Sequence, residues 1–138
     1  MNKVDSKYPQ FIRIDRKIKE KYLEPLISTP SSQFYKREQG EVYFIAAALG
    51  FKNKLRMKTE KNIDVRTYHG LNDQYKLLIR VIALSDTKYD YNLLSDGSKT
   101  LRILEECANG GMSLLYDKIF SKGGDFSLED ELFGDNQK

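Results

Sequence analysis

Lys52, Lys54, Arg56 and Lys58 alternate along one short segment. In an extended chain that spacing puts the four cations on one side and Leu55 and Met57 on the other. Cations along such an edge can each meet a phosphate, and every such contact makes affinity fall with salt. Lys61 adds a further cation, with Glu60 the one acid from Phe51 to Lys61, and Arg66 is a candidate to extend the surface. Arg13 and Arg16 are candidates to extend the same surface. The plainer alternative is a solvated basic segment with no ligand, and the pattern alone leaves both open.

Other chemistries find less support. One histidine, His69, and one cysteine, Cys107, lie far apart without ligand spacing, so neither a metal nor another cofactor is expected. His69 sits in a polar stretch and reads as a solvated or hydrogen-bonded structural residue. Cys107 has no neighbouring histidine in sequence to lower its pKa, and reads as a packing residue. Glu105 and Glu106 are adjacent, hence about 100° apart on a helix, which suits a solvated face better than a carboxylate pair. Gly110-Gly111 lacks the strand and the partner residues of a phosphate loop. The nine tyrosines are expected in the core or at its rim. No grouping of nucleophile, base and orienting residue is visible, so no catalytic residue is assigned.

Glu41-Val-Tyr-Phe-Ile-Ala-Ala-Ala-Leu-Gly-Phe51 is the most apolar run and predicts a buried central helix, its alanines admitting a close neighbour. Gly50 is expected to supply a left-handed C-cap closed by Phe51. Upstream, Phe11 to Asp15 alternates like a short strand, and Asp15 caps a helix through about Leu26 that Pro25 bends or stops. Phe34 and Tyr35 are expected to pack back on the core after a loop at 28–32. Downstream, residues 52–70 read as one long polar connection. A helix over 71–84 follows, capped by Asn72 or Asp73, striped by Tyr75, Leu78, Ile79, Ile82 and Ala83 and widened by Leu77, Val81 and Leu84. Ser98 is a candidate cap for a last helix from about Lys99 to Phe120, with Leu101, Leu104, Ala108, Met112, Leu115 and Ile119 in register. Gly110-Gly111 either breaks that helix or permits a close crossing.

These elements predict an all-α fold: a compact bundle of four to five helices, with at most one short N-terminal β-strand. With 138 residues the chain suits one domain. The expected division is a flexible leader over 1–10, a helical domain over 11–122 and an acidic, flexible tail over 123–138. The tail carries Asp125, Glu129, Asp130, Glu131 and Asp135 beside Phe126, Leu128, Leu132 and Phe133, which suit docking on the body or on a partner. No run is long enough to span a membrane. The start lacks a signal peptide's apolar core and the cysteine is single, so the expected location is the cytoplasm.

Three stretches carry a family resemblance: Ile12-Arg-Ile-Asp-Arg-Lys-Ile-Lys-Glu-Lys-Tyr22, the central run Glu41–Phe51 with the basic residues after it, and Ile103-Leu-Glu-Glu-Cys-Ala-Asn-Gly-Gly-Met112. With the helix around 78–84 they span about 11 to 120. In these the chain resembles the small accessory proteins of bacterial DNA phosphorothioation (Dnd) gene clusters. The resemblance implies a setting of DNA modification, restriction and phage defence, and implies no active site.

Two functions from different classes remain. The first is a non-catalytic accessory protein of such a system that contacts DNA, or a complex bound to DNA, through Lys52, Lys54, Arg56, Lys58, Lys61 and Arg66. The second is a protein–protein adaptor that binds no nucleic acid. Partners are then DNA and other proteins of the same defence system, with a homo-oligomer left open and no membrane. A strand–helix–helix order also matches a ribbon-helix-helix unit, in which two chains pair their strands, although the loop between the helices is long for it.

Overall fold

The structure, a computed structural model, describes residues 8–86, 88 and 91–121. Residues 1–7 and the tail over 123–138, with its proposed docking residues, lie outside the described residues. The order is β1 (Phe11–Asp15), a first helix α1 over residues 16–28, α2 (Gln39–Lys52), β2 (Asn62–Thr67), α3 (Asp73–Asp86), a 3-10 turn (Tyr91–Ser95) and α4 (Gly97–Ser121). The fold is mainly helical, as expected, but it also holds a two-stranded antiparallel sheet, β1 against β2. The strand missed is β2: Ile63 and Val65 are its only aliphatic residues and are partly buried, too weak a signal to stand out from the polar connection. Because β1 pairs within its own chain, it is not the shared ribbon of a ribbon-helix-helix dimer.

Asp15 caps α1 as expected, its Oδ1 accepting the Lys17 N–H at 2.9 Å. Pro25 does not stop the helix. A π-helical stretch, Lys19–Leu23, precedes it, and the Glu24 N–H donates to the Lys19 carbonyl before an α-turn runs on from Glu24 to Ser28. Widening the turn accommodates a residue that has no N–H and crowds the preceding turn. After the loop Phe34 is buried, whereas Tyr35 is exposed. Asn72 caps α3, its Oδ1 accepting the Tyr75 N–H at 2.9 Å. That helix is less buried than its sequence suggests, for Leu77 is 61% and Val81 45% exposed. Asp96, not Ser98, caps α4, its Oδ1 accepting the Lys99 N–H at 3.1 Å.

The core is built on α2 crossing α4. The full apolar register of α4, Leu101, Leu104, Ala108, Met112, Leu115 and Ile119, is buried. Gly110-Gly111 does not break the helix; both residues serve close approach. A Cβ on Gly111 would collide with the Ala46 carbonyl oxygen, and one on Gly50 with the Cys107 carbonyl oxygen. Gly50 is therefore interior to α2 and is not its C-cap. The crossing needs its missing side chain, and the helix runs on to Lys52.

The edge of β1 away from β2 is covered by α4 (Gly97–Ser121). The Arg13 N–H donates to Glu105 Oε2 at 3.0 Å and the Asp15 N–H to Asn109 Oδ1 at 3.1 Å. Two strand residues advance about 6.6 Å and four helical residues about 6 Å, so acceptors at i and i+4 on a helix match donors at i and i+2 on a strand. Glu105 and Glu106 are thus not a solvated face: Glu105 is half-buried, and Glu106 is buried.

Candidate nucleic-acid interface

The basic segment leaves α2 through a left-handed turn at Lys54, whose φ is 56°. The Leu55 N–H donates to the Gly50 carbonyl at 2.8 Å and the Lys54 N–H to the Phe51 carbonyl at 3.2 Å. These paired bonds satisfy two carbonyls at the helix end, with Lys54 in the position usually given to glycine. The strap that follows is fastened to α4. The Met57 N–H donates to the Glu106 carbonyl at 3.0 Å, and Asn109 Nδ2 donates to the Met57 carbonyl at 3.4 Å. Gly110 makes room, since a Cβ there would sit 2.6 Å from the Leu55 carbonyl oxygen. At its far end the Glu60 N–H donates to Asp15 Oδ2 at 2.9 Å, and the Arg16 N–H donates to the Lys61 carbonyl at 2.8 Å.

Two helix residues hold Arg56 inward. Nη1 lies 2.5 Å from Asp86 Oδ2, while Nε and Nη2 donate to Glu106 Oε1 at 3.1 and 2.8 Å. The strap therefore does not present its cations along one side, and Leu55 and Met57 are exposed. Lys54, Lys58 and Lys61 are exposed, and no ion pair joins any of them to another described residue. Lys52 is half-buried in the last turn of α2. Arg66 on β2 pairs with Glu38 at 3.7 Å.

Two openings border the strap. One is a groove of about 910 Å³ between α2 and α3, with Leu78, Val81, Ile82 and Cys107 among its walls and Lys52, Lys54 and Arg56 along it. Burial pushes the Cys107 thiol up to about 11, as suits a packing cysteine. The other is a smaller and more polar cleft of about 480 Å³, with Arg13, Lys58, Arg102, Glu105 and Glu106 in its lining beside Phe11 and Leu101. The exposed His69 packs edge-on to Tyr68. Among the described residues no group of histidine, cysteine or carboxylate side chains is placed to hold a metal ion. No helix among them is long and apolar enough to cross a membrane.

A family model described as DNA sulphur modification system-associated protein 4 matches residues 10–133. The chain belongs to this family. The match takes in the sheet, helices α1 to α4 and the strap. No curated protein and no solved structure matches the chain. Membership agrees with the resemblance carried by the three stretches 12–22, 41–51 and 103–112. It places the chain among proteins associated with DNA sulphur modification.

Sequence reading missed Arg102, Asn109 and the structural use of Glu105 and Glu106. The legible signal was the i, i+4 spacing of Glu105 and Asn109, polar residues inside an otherwise apolar register. On a helix packed all round, such residues need a partner, and here that partner is backbone.

Proposed function

We propose that this chain is a non-catalytic accessory protein of a bacterial DNA phosphorothioation system, serving modification and restriction in phage defence. On this reading it touches DNA, or a complex bound to DNA, through the strap from Lys52 to Lys61. The observation that carries the reading is the fastened backbone: the strap is held by hydrogen bonds and by Arg56, while Lys54, Lys58 and Lys61 stay exposed. Exposed lysines on a fastened backbone bind a polyanion without first paying to order the loop. Arg56 then positions the strap, Lys52 adds charge at its start, and Arg66 lies beyond its far end.

The test is a fluorescence-anisotropy titration with duplex DNA, with and without phosphorothioate, from 50 to 200 mM salt. Three phosphate contacts predict a roughly fortyfold loss of affinity over that range. Lys54, Lys58 and Lys61 all changed to Gln should flatten the dependence. Absence of binding at low salt would reject DNA contact.

A second reading, the adaptor, is favoured by the groove beside α3. Its walls are mainly apolar and Lys52 and Lys54 stand along it, so its chemistry suits an acidic segment with apolar anchors on another protein of the system. Partner binding that survives high salt and is lost in Val81→Glu, with duplex binding absent, would replace the first reading with this one.

A further inference from the structure

The polar cleft is built from three separate parts of the chain. Arg13 comes from β1, Lys58 from the strap, and Arg102 with Glu105 from the first turns of α4. Asn62 and Ser98 add neutral polar groups at its wall. Arg102 and Lys58 are exposed, and no ion pair joins either to another described residue. Arg13 shares its charge with Asp64, at 3.3 Å. We propose that this cleft is a binding site for one phosphodiester group of a nucleic-acid strand, held by Arg13, Lys58 and Arg102. The inference deepens the proposed DNA contact and rests on it for the class of ligand. It adds Arg13 and Arg102 to Lys58 and gives the contact a defined pocket.

Glu105 makes the site responsive to pH. Burial pushes its carboxyl up to about 7, although the Arg13 N–H and the Arg13 and Arg102 charges pull it down, and Glu106 adds to the rise. The titratable and charged groups acting on it are Arg13 from the strand, Tyr43 from α2, and Arg102 and Glu106 from its own helix, Glu106 being occupied by Arg56, while Lys58 lines the same cleft from the strap. Below about pH 7 the carboxyl is neutral and three cations face an incoming anion. Above it a carboxylate stands among them and repels that anion. If the anion binds only the neutral form, affinity falls about tenfold from pH 6 to pH 8. A phosphodiester keeps a single charge over this range, so any such change belongs to the protein.

The experiment is an NMR titration of the ¹⁵N-labelled full chain with the dinucleotide dTpdT, which carries one phosphodiester, at pH 6 and pH 8. Expected are shifts at Arg13, Lys58 and Arg102, about tenfold weaker binding at pH 8, and loss of those shifts in Arg102→Gln. Glu105→Gln keeps the acceptor for the Arg13 N–H and should bind at pH 8 as wild type binds at pH 6. No shift in the cleft at pH 6 overturns the inference, whatever longer DNA does. Duplex bound through Lys54 and Lys61 with the cleft silent overturns it and leaves the proposed function standing. Cleft shifts with dTpdT and no duplex binding do the reverse.

Discussion

Arg56 and Glu106, fifty positions apart, meet through two hydrogen bonds to one carboxylate oxygen, at 2.8 and 3.1 Å. Glu106 is 9% exposed and sits on the most buried stretch of α4. The cation at the middle of the basic segment is therefore what lets a helix keep a carboxylate in its core.

Removing Arg56 leaves that carboxylate buried without its partner. Arg56→Ala should cost about 2–3 kcal/mol, below the range for a fully buried pair because Arg56 is partly exposed. Urea unfolding measures it, and adding Glu106→Gln should recover part of the loss. A DNA-binding series that includes Arg56 mixes folding with affinity, so Lys54, Lys58 and Lys61 are the better probes.

The α2–α4 crossing has no room for a methyl group. Gly111→Ala meets the Ala46 carbonyl and should destabilise by about 3 kcal/mol or more. The thermal midpoint should drop by many degrees, whereas alanine at the exposed Lys99 should change it little.

Glu105 should make stability fall as pH rises. Its carboxyl is raised from 4.5 to about 7 on folding, so the folded chain holds the proton more tightly than the unfolded one. The stabilisation is complete below about pH 4.5 and is lost as pH rises through 7, by roughly 3 kcal/mol. Urea midpoints between pH 5 and pH 8 check it, and Glu105→Gln should flatten this part of the profile.

Asp15 acts in the opposite sense. Burial pushes its carboxyl up, but the N–H groups of Glu60, Lys17, Lys61 and Ile18 together hold it below its ordinary value of 3.8. Its contribution is present above that value and is lost as pH falls through the lowered one. Asp15→Ala should cost about 1–2 kcal/mol through the lost cap. It should also speed hydrogen exchange at Glu60 and Lys61, because the same carboxylate fastens the strap.

The helices are legible in the chain's own residue order, since their signal is local. The apolar register of α4 and the Asp15 and Asn72 caps were all legible from residues a few positions apart. So were the small residues of α2, the family resemblance and the basic character of residues 52–61. Tertiary structure decided whatever depended on distant partners. Gly50 reads as a cap until Cys107 is set against it, and the left-handed turn falls to Lys54. The polar run 62–67 becomes a strand only because β1 lies beside it. The alternation of Lys54, Arg56 and Lys58 reads as one charged edge, yet Glu106 and Asp86 draw Arg56 inward and leave Leu55 and Met57 exposed. Which cations remain for a ligand, and that Arg13 and Arg102 join Lys58 around Glu105, follows from packing between segments that sequence spacing does not relate.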